Sequence, residues 1–197
     1  VVTNTPPAGL SLATKLADGS SVGPATQKLT LVDSDIFGYS ISSDGDLLAI
    51  GAGGDDTGGP QRGAVYLFNG VGTDYTGLTL KDKLAHGWTD GATTLTLADS
   101  SEFGGSVSVN GGRLAVGARA DNTGGTGRGA VYLFNGVGTD YSGLTFQDKL
   151  VHGWFDGVST LTLADADIFG GSLSLDGDLL AVGAHADDTG GTDRGAV

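Results

Sequence analysis

Paired acidic side chains recur at one spacing and are the residues of this chain most suited to binding a cation. Each pair is followed by Thr-Gly-Gly, and the pairs are Asp55-Asp56, Asp121-Asn122 and Asp187-Asp188. Clustered carboxylates and exposed backbone carbonyls are the hard oxygen ligands that Ca²⁺ prefers. Asp and Asn also begin turns by hydrogen-bonding their own backbone. Two interpretations therefore stay open at these positions, a calcium site in each copy and turn formation.

A second acidic cluster precedes each Phe-Gly. It holds Asp33 and Asp35 in one copy and Asp165 and Asp167 in another, whereas the middle copy has Asp99 with Glu102. A metal site shared by all copies would need its ligands at the same positions in each, and the middle copy places its second acid differently. Loop formation is therefore the favoured interpretation of this cluster. Paired carboxylates could also serve a glycosidase. Acidic copies in every repeat argue against a single catalytic centre.

A basic residue stands at one position in each copy, at Arg62, Arg128 and Arg194. Arg offers a planar fork of donors to a carboxylate. We therefore expect these side chains to form salt bridges or hydrogen bonds with the nearby Asp-rich loop. A row of anion-binding sites is the alternative, and the many acids beside it make that alternative weaker.

Tryptophan occurs twice, at Trp88 and Trp154, each time after His-Gly. An aromatic ring there could stack on a sugar or anchor a protein partner, since Trp is frequent at interaction hot spots. The alternative is that Trp packs over the seam between repeats. His185 has no counterpart in the other copies, and the chain has no Gly-x-Ser-x-Gly to support a serine nucleophile. The sequence thus predicts no enzyme.

All these residues belong to one unit that is copied three times. Asp33, Asp99 and Asp165 begin the copies of Asp-x-x-x-Phe-Gly, so the period is 66 residues, and Arg-Gly-Ala-Val recurs at the same period. Periods of this order are typical of repeat architectures. The sequence predicts a linker at 1–8, a leading fourth strand within 9–32, and blades at 33–98, 99–164 and, in part, 165–197.

Each unit has the pattern of four strands. Phe37, Tyr39 and Ile41 alternate with small residues, as in a half-buried strand. Asp44-Gly45 is predicted to form a two-residue hairpin turn, since both residues tolerate positive φ. The other strands are predicted at Leu47–Ala52, Ala64–Phe68 and Leu78–Leu84, and Leu10–Leu16 resembles the last of these.

Four antiparallel strands per unit predict an all-β propeller of four-stranded blades. A stacked β-solenoid is the alternative, although its usual repeats are shorter. No window shows a helical period. About three blades do not close a ring, so we expect either further blades in a longer protein or association of chains through exposed edge strands.

The segments Phe37–Ala52, Gly54–Gly59 and Gly63–Phe68 resemble the FG-GAP repeat, and the resemblance extends over nearly the whole chain. That family builds the seven-bladed propeller of integrin α chains and of many bacterial surface proteins. Its Gly-Ala-Pro is altered here, because the third residue is Gly53, Arg119 or His185. The calcium cage of integrin blades, Asp-x-Asp-x-Asp-Gly-x-x-x-Asp, does not fit between the first two strands, where only Ser43–Asp46 are available.

Composition narrows the possible partners. The 197 residues carry a formal net charge of −13, which disfavours nucleic acid and anionic lipid. The chain has no cysteine and no methionine, its apolar runs are shorter than the ~20 residues of a membrane span, and its first residues lack the layout of a signal peptide. With the resemblance, this predicts a non-catalytic extracellular or cell-surface module for binding or adhesion, with calcium as candidate cofactor and a protein or glycan as partner. A self-assembling structural subunit and a carbohydrate-active propeller enzyme are the alternatives.

Overall fold

A computed structural model describes residues 15–23, 27–72, 75, 77–138 and 140–197. The linker predicted at 1–8 lies outside these residues, and so does most of the run Leu10–Leu16. The described part of the chain contains β-strands and no helix, which confirms the predicted fold class. In that part, consequently, no helix is long and apolar enough to cross a membrane.

Within the described residues, ten strands form three antiparallel sheets, and strands that follow one another along the chain are paired in order. Two sheets have four strands (β1-β2-β3-β4 and β5-β6-β7-β8) and the third has two (β9-β10). We call these sheets blades 1, 2 and 3. The strand bounds are β1 Phe37–Asp44, β2 Leu47–Ala52, β3 Ala64–Asn69, β4 Thr79–Leu84, β5 Phe103–Asn110, β6 Arg113–Ala118, β7 Ala130–Asn135, β8 Thr145–Leu150, β9 Phe169–Asp176 and β10 Leu179–Ala184.

The first hairpin of each blade has the predicted two-residue loop, displaced by one residue. Asp44 pairs with Leu47, so Gly45 and Asp46 form the turn rather than Asp44 and Gly45. Gly45 has φ +58°, and Gly at the first central position is the requirement of a type II′ turn. Asp44 ends the strand, which leaves its carboxylate available to the next blade.

The first strand of each blade is its inner strand, and β5 lies between β1 and β9. β5 is buried on both sides: Val107 and Val109 lie in the apolar cluster shared with blade 1, whereas Ser106 and Ser108 hydrogen-bond to blade 3. The largest core cluster thus lies between blades 1 and 2, with Phe103, Tyr132 and Phe134 from blade 2. Blades are therefore held together by apolar seams, as expected for propeller units.

Polar contacts cross the seam between blades 1 and 2. Ser40 Oγ donates to the Gly104 carbonyl at 2.7 Å. Ser42 Oγ accepts from the Val109 N–H at 3.0 Å, and Asp44 Oδ2 accepts from the Gly111 N–H at 2.8 Å.

The next seam repeats all three contacts one period later, at distances of 2.7, 2.9 and 2.9 Å, through Ser106, Ser108 and Asn110. The repeated small residues of the sequence thus specify how neighbouring blades dock.

A small hairpin follows the last strand of each four-stranded blade. Residues 85–97 form one of these, which we call the second hairpin; in it the Gly87 N–H donates to the Leu95 carbonyl at 2.9 Å and the Leu95 N–H donates to the Trp88 carbonyl at 2.7 Å. Residues 151–163 repeat it and form the third hairpin. The described part of 17–31, the leading hairpin, has the same form, with the Gly19 N–H donating to the Leu29 carbonyl at 2.8 Å. That leading hairpin covers part of blade 1.

Candidate functional site

The first acidic residue of each Thr-Gly-Gly loop is buried, and in blades 1 and 2 it is bound from several sides. Asp55 follows β2 and is 2% exposed. Its Oδ1 accepts from the Thr57 N–H at 2.9 Å, and its Oδ2 accepts from Tyr66 Oη at 2.9 Å. Lys83 Nζ lies 2.7 Å from the same Oδ2. The carboxylate therefore joins β2, β3 and β4 of one blade.

Blade 2 repeats this cluster. Asp121 accepts from the Thr123 N–H, from Tyr132 Oη at 3.0 Å and from Lys149 Nζ at 2.9 Å. Burial opposes ionisation of this carboxyl, but the hydrogen bonds from Thr123 and the charge of Lys149 outweigh it, so the pKa of Asp121 lies below its usual value. Burial and the neighbouring carboxylate raise the pKa of Tyr132. The cluster is thus an ionised Asp–Lys pair with a neutral tyrosine.

The second residue of each pair forms the turn itself. Asp56 Oδ1 accepts from the Gln61 N–H at 2.7 Å, Asn122 Oδ1 accepts from the Gly127 N–H at 2.7 Å, and Asp188 Oδ1 accepts from the Asp193 N–H at 2.7 Å. Asp187 Oδ1 likewise accepts from the Thr189 N–H at 2.8 Å. All six predicted calcium ligands are therefore engaged in turn or ion-pair contacts.

A calcium ion at these loops would compete with contacts that already exist. Lys83 and Lys149 occupy the side of the carboxylates where a cation would bind. Among the described residues, no group of three or more His, Asp or Glu side chains has the geometry to hold a metal. The structure shows where the six predicted ligands lie but does not test whether they bind a metal ion, so calcium binding stays a prediction.

The second acidic cluster contains a buried carboxyl oxygen with no partner. Asp35 is 4% exposed; Oδ2 accepts from the Val32 N–H at 2.8 Å, whereas Oδ1 has none. Burial and the nearby Asp55 raise the pKa of Asp35. Asp35 and Asp55 both line a cavity of about 490 Å³. Leu80 also lines this cavity; blade 2 has the larger Phe146 at the matching position, with its ring 6.4 Å from the Tyr132 ring.

The arginine that recurs in each copy forms an ion pair with the next blade in the two seams. Arg62 Nε lies 2.7 Å from Asp99 Oδ1, and Arg128 Nε lies 2.7 Å from Asp165 Oδ1. The ion pair was expected, but its partner differs: it is the second acidic cluster of the next blade and not the Asp-rich loop nearby. The reason is that the turn residue Asp56 is already bound to the backbone of its own loop.

Both tryptophans donate their indole N–H to an acid of the preceding strand. Trp88 Nε1 lies 2.7 Å from Asp82 Oδ2, and Trp154 Nε1 lies 2.7 Å from Asp148 Oδ2. Trp88 is half-buried, and its ring meets Phe134 of blade 2 edge-on at 5.8 Å. The structure thus places Trp88 over a seam. A glycan or partner contact through Trp88 or Trp154 stays a prediction.

An exposed apolar pair on the third hairpin was not predicted. Phe155 is 58% exposed and Val158 is 88% exposed. The matching residues of the preceding hairpin are Thr89 and Ala92. A comparison of the copies position by position would have found the pair, because it interrupts an otherwise repeated segment.

Four-stranded antiparallel sheets joined at a fixed period by apolar seams define these units as β-propeller blades. A family model described as FG-GAP repeat matches residues 26–68, 96–134 and 162–197, which is more than half of the chain. The chain therefore belongs to the FG-GAP repeat family. Repeats of this family are generally protein-binding or adhesion modules of propellers. A search of curated proteins finds no match.

Proposed function

We propose that the chain is a non-catalytic module, outside the cell or on its surface, that binds a protein or a glycan. The family supports this proposal, since its repeats generally serve binding or adhesion. The observation that carries the non-catalytic part is the repetition of the buried Asp–Tyr–Lys cluster. Asp55 and Asp121 make the same internal contacts in two blades, which suits folding and does not create one reactive centre.

The third hairpin is the contact surface that we assign to this function. Exposed apolar residues grouped at one place favour interaction with a partner. Hydrogen bonds within the hairpin hold its loop: Asp156 Oδ1 accepts from the Val158 N–H at 2.7 Å and from the Ser159 N–H at 2.6 Å. Phe155 bridges to Thr160 across the loop. A preorganised loop loses little entropy on binding.

Binding should be measured on immobilised collagen, fibronectin, chitin and alginate, with the chain coated on beads. We expect retention on at least one of these surfaces. The double variant Phe155→Thr, Val158→Ala gives the third hairpin the residues of the second, so its fold is preserved. Loss of two exposed contacts should weaken binding about tenfold, which is ~1.4 kcal/mol.

The matched control places the apolar pair on the other hairpin, as Thr89→Phe, Ala92→Val, and should retain the wild-type binding. If the Phe155→Thr, Val158→Ala variant is retained on the surfaces as strongly as wild type, the third hairpin is not the contact surface. Release of reducing ends from chitin or alginate would overturn the non-catalytic assignment and favour the carbohydrate-active alternative.

A further inference from the structure

The dipeptide Asn-Gly occurs three times in the chain, at Asn69, Asn110 and Asn135. Asparagine is thermolabile, because the backbone nitrogen of the following residue can attack its side-chain amide carbon. Glycine in the following position hinders this attack least, since it has no Cβ. The sequence alone does not distinguish the three sites, whereas their surroundings in the fold differ.

Backbone packing restrains the peptide that follows two of these asparagines. Gly70, which follows Asn69, lies so close to the Gly77 carbonyl that an added Cβ would clash with it, and the copy around Asn135 is packed in the same way. Closure of a ring on the side chain requires rotation about the Cα–C bond of the asparagine, which swings the glycine nitrogen. In these two loops the neighbouring backbone opposes that rotation.

The turn after Asn110 has more space and fewer tethers. A Cβ added to Gly111 or to Gly112 would meet no heavy atom within 4 Å outside its chain neighbours. In blade 1 the second turn residue is Asp46, whose carboxylate accepts from two backbone N–H groups of the loop after β3. Gly112 has no side chain that could make these contacts, so the turn between β5 and β6 can rearrange at a smaller cost.

The neighbouring blades supply two groups that favour the attack at Asn110. Asp44 Oδ2 of blade 1 accepts from the Gly111 N–H at 2.8 Å, so a carboxylate already contacts the proton that the attacking nitrogen must lose. The Gly177 N–H of blade 3 donates to Asn110 Oδ1 at 2.9 Å. This donor polarises the amide and stabilises the negative charge that develops on Oδ1 during attack.

We propose that Asn110 is a site of spontaneous deamidation. The Gly111 nitrogen forms a bond to Cγ of Asn110, and its proton passes through the Asp44 carboxylate to the departing amide nitrogen. The Cγ–Nδ2 bond breaks and ammonia leaves, which gives a cyclic imide. Water then opens the imide to aspartate or isoaspartate, so the net change is amide plus water to acid plus ammonia.

The two products have different effects on the fold. Aspartate is the residue of the other copies, at Asp44 and Asp176, and its carboxylate can accept from the Gly177 N–H as the asparagine does. Isoaspartate carries the main chain through the side-chain carbon, which adds a backbone atom and disturbs the pairing of position 110 with Arg113. Both products add a negative charge, and only isoaspartate weakens the seam.

The test is the deamidation of the folded 197-residue chain during incubation in heavy-oxygen water, followed by tryptic digestion and mass spectrometry. Cleavage after Lys and Arg places Asn69, Asn110 and Asn135 in separate peptides, and each deamidation incorporates one heavy oxygen atom. We expect the Asn110 peptide to react several times faster than the other two. In urea the three rates should converge, because the fold causes the difference.

The proposal is overturned if Asn69 or Asn135 of the folded chain reacts as fast as Asn110. It is also overturned if the same advantage of Asn110 persists in urea, since local sequence and not the fold would then cause it.

Asp44→Asn tests the part assigned to the carboxylate. The variant keeps the seam contact, because Asn110 itself makes the matching contact with Gly177 in the next seam. Loss of the proton acceptor should slow the initial rate at Asn110 severalfold, whereas a merely structural effect would loosen the turn and speed the reaction. The matched control Asp176→Asn makes the same change in blade 3 and should leave the rate at Asn110 unchanged. A rate in Asp44→Asn equal to or above wild type overturns the role of Asp44.

Discussion

Gly117 sits where two blades approach most closely, and replacing it with alanine should open the seam. A Cβ at Gly117 would lie 2.1 Å from the Gly170 carbonyl oxygen and 2.2 Å from Ser106 Oγ. Van der Waals contacts between heavy atoms are favourable at about 3.5 Å, so the blades must separate by more than ~1 Å. Gly117 has no positive φ, so the effect comes from packing and not from backbone strain.

The size of the effect follows from two losses. Overpacking a dense interior costs about 1–3 kcal/mol. Separation also breaks the hydrogen bond from Ser106 Oγ to the Gly170 carbonyl, worth about 1 kcal/mol. Gly117→Ala should therefore lower the free energy of unfolding by about 2–4 kcal/mol, and its urea midpoint should fall by roughly 1 M or more.

Gly183→Ala is the matched control, because Gly183 stands at the same position of blade 3 without a following blade among the described residues. Its nearest neighbours are all atoms of Ser172, and the closest is the hydroxyl oxygen at 2.2 Å, which can rotate away. We expect a change within about 0.5 kcal/mol.

Unfolding of both variants should be followed by tryptophan fluorescence in urea at low micromolar concentration. An unchanged midpoint for Gly117→Ala, or an equal loss for Gly183→Ala, would refute the steric account of the seam.

Three further predictions concern the buried acids. Asp121→Asn should destabilise the chain by about 2–3 kcal/mol, since Lys149 loses its charged partner. Because the pKa of Asp121 is lowered in the folded state, its contribution is full above the unfolded pKa and is lost as pH falls through the folded pKa, so urea titrations of wild type and variant should converge in acid. Asp35 has a raised pKa and an unpaired oxygen, so ionised Asp35 destabilises the fold as pH rises through that pKa. Asp35→Asn should accordingly raise the melting temperature at pH 7 and change it little below the unfolded pKa. Calcium binding predicts a higher melting temperature in millimolar calcium than in chelator, and identical melts would refute it.

The blade could be predicted from the sequence because its signals are local. The alternation around Ile41, the apolar run Leu47–Ala52 and the 66-residue period each depend on one strand or one copy. The hairpin turn was displaced by one residue because Asp44 and Gly45 both tolerate turn conformations, and only the pairing of Asp44 with Leu47 decides between them.

The site was harder to predict, since its partners come from distant residues. Asp55 binds Tyr66 and Lys83 across three strands, and periodicity says nothing of which acid meets which lysine. Arg62 was expected to pair nearby, yet its partner Asp99 is 37 residues away in the next blade. Such contacts depend on how blades dock, which only the three-dimensional arrangement shows.

Repetition also determines where recognition can reside. Residues that recur in every copy are required by the same turns and seams, so their recurrence follows from folding alone. Positions at which the copies differ are therefore better evidence for a contact with a partner, and we consider two such groups at the surface. One is Phe155 with Val158; the other is Arg119, which replaces Gly53 of the first copy, pairs with Glu102 and lies 5.3 Å from the ring of Tyr39. Because the Arg119 charge is already paired, the exposed apolar hairpin remains the stronger candidate for contact with a partner.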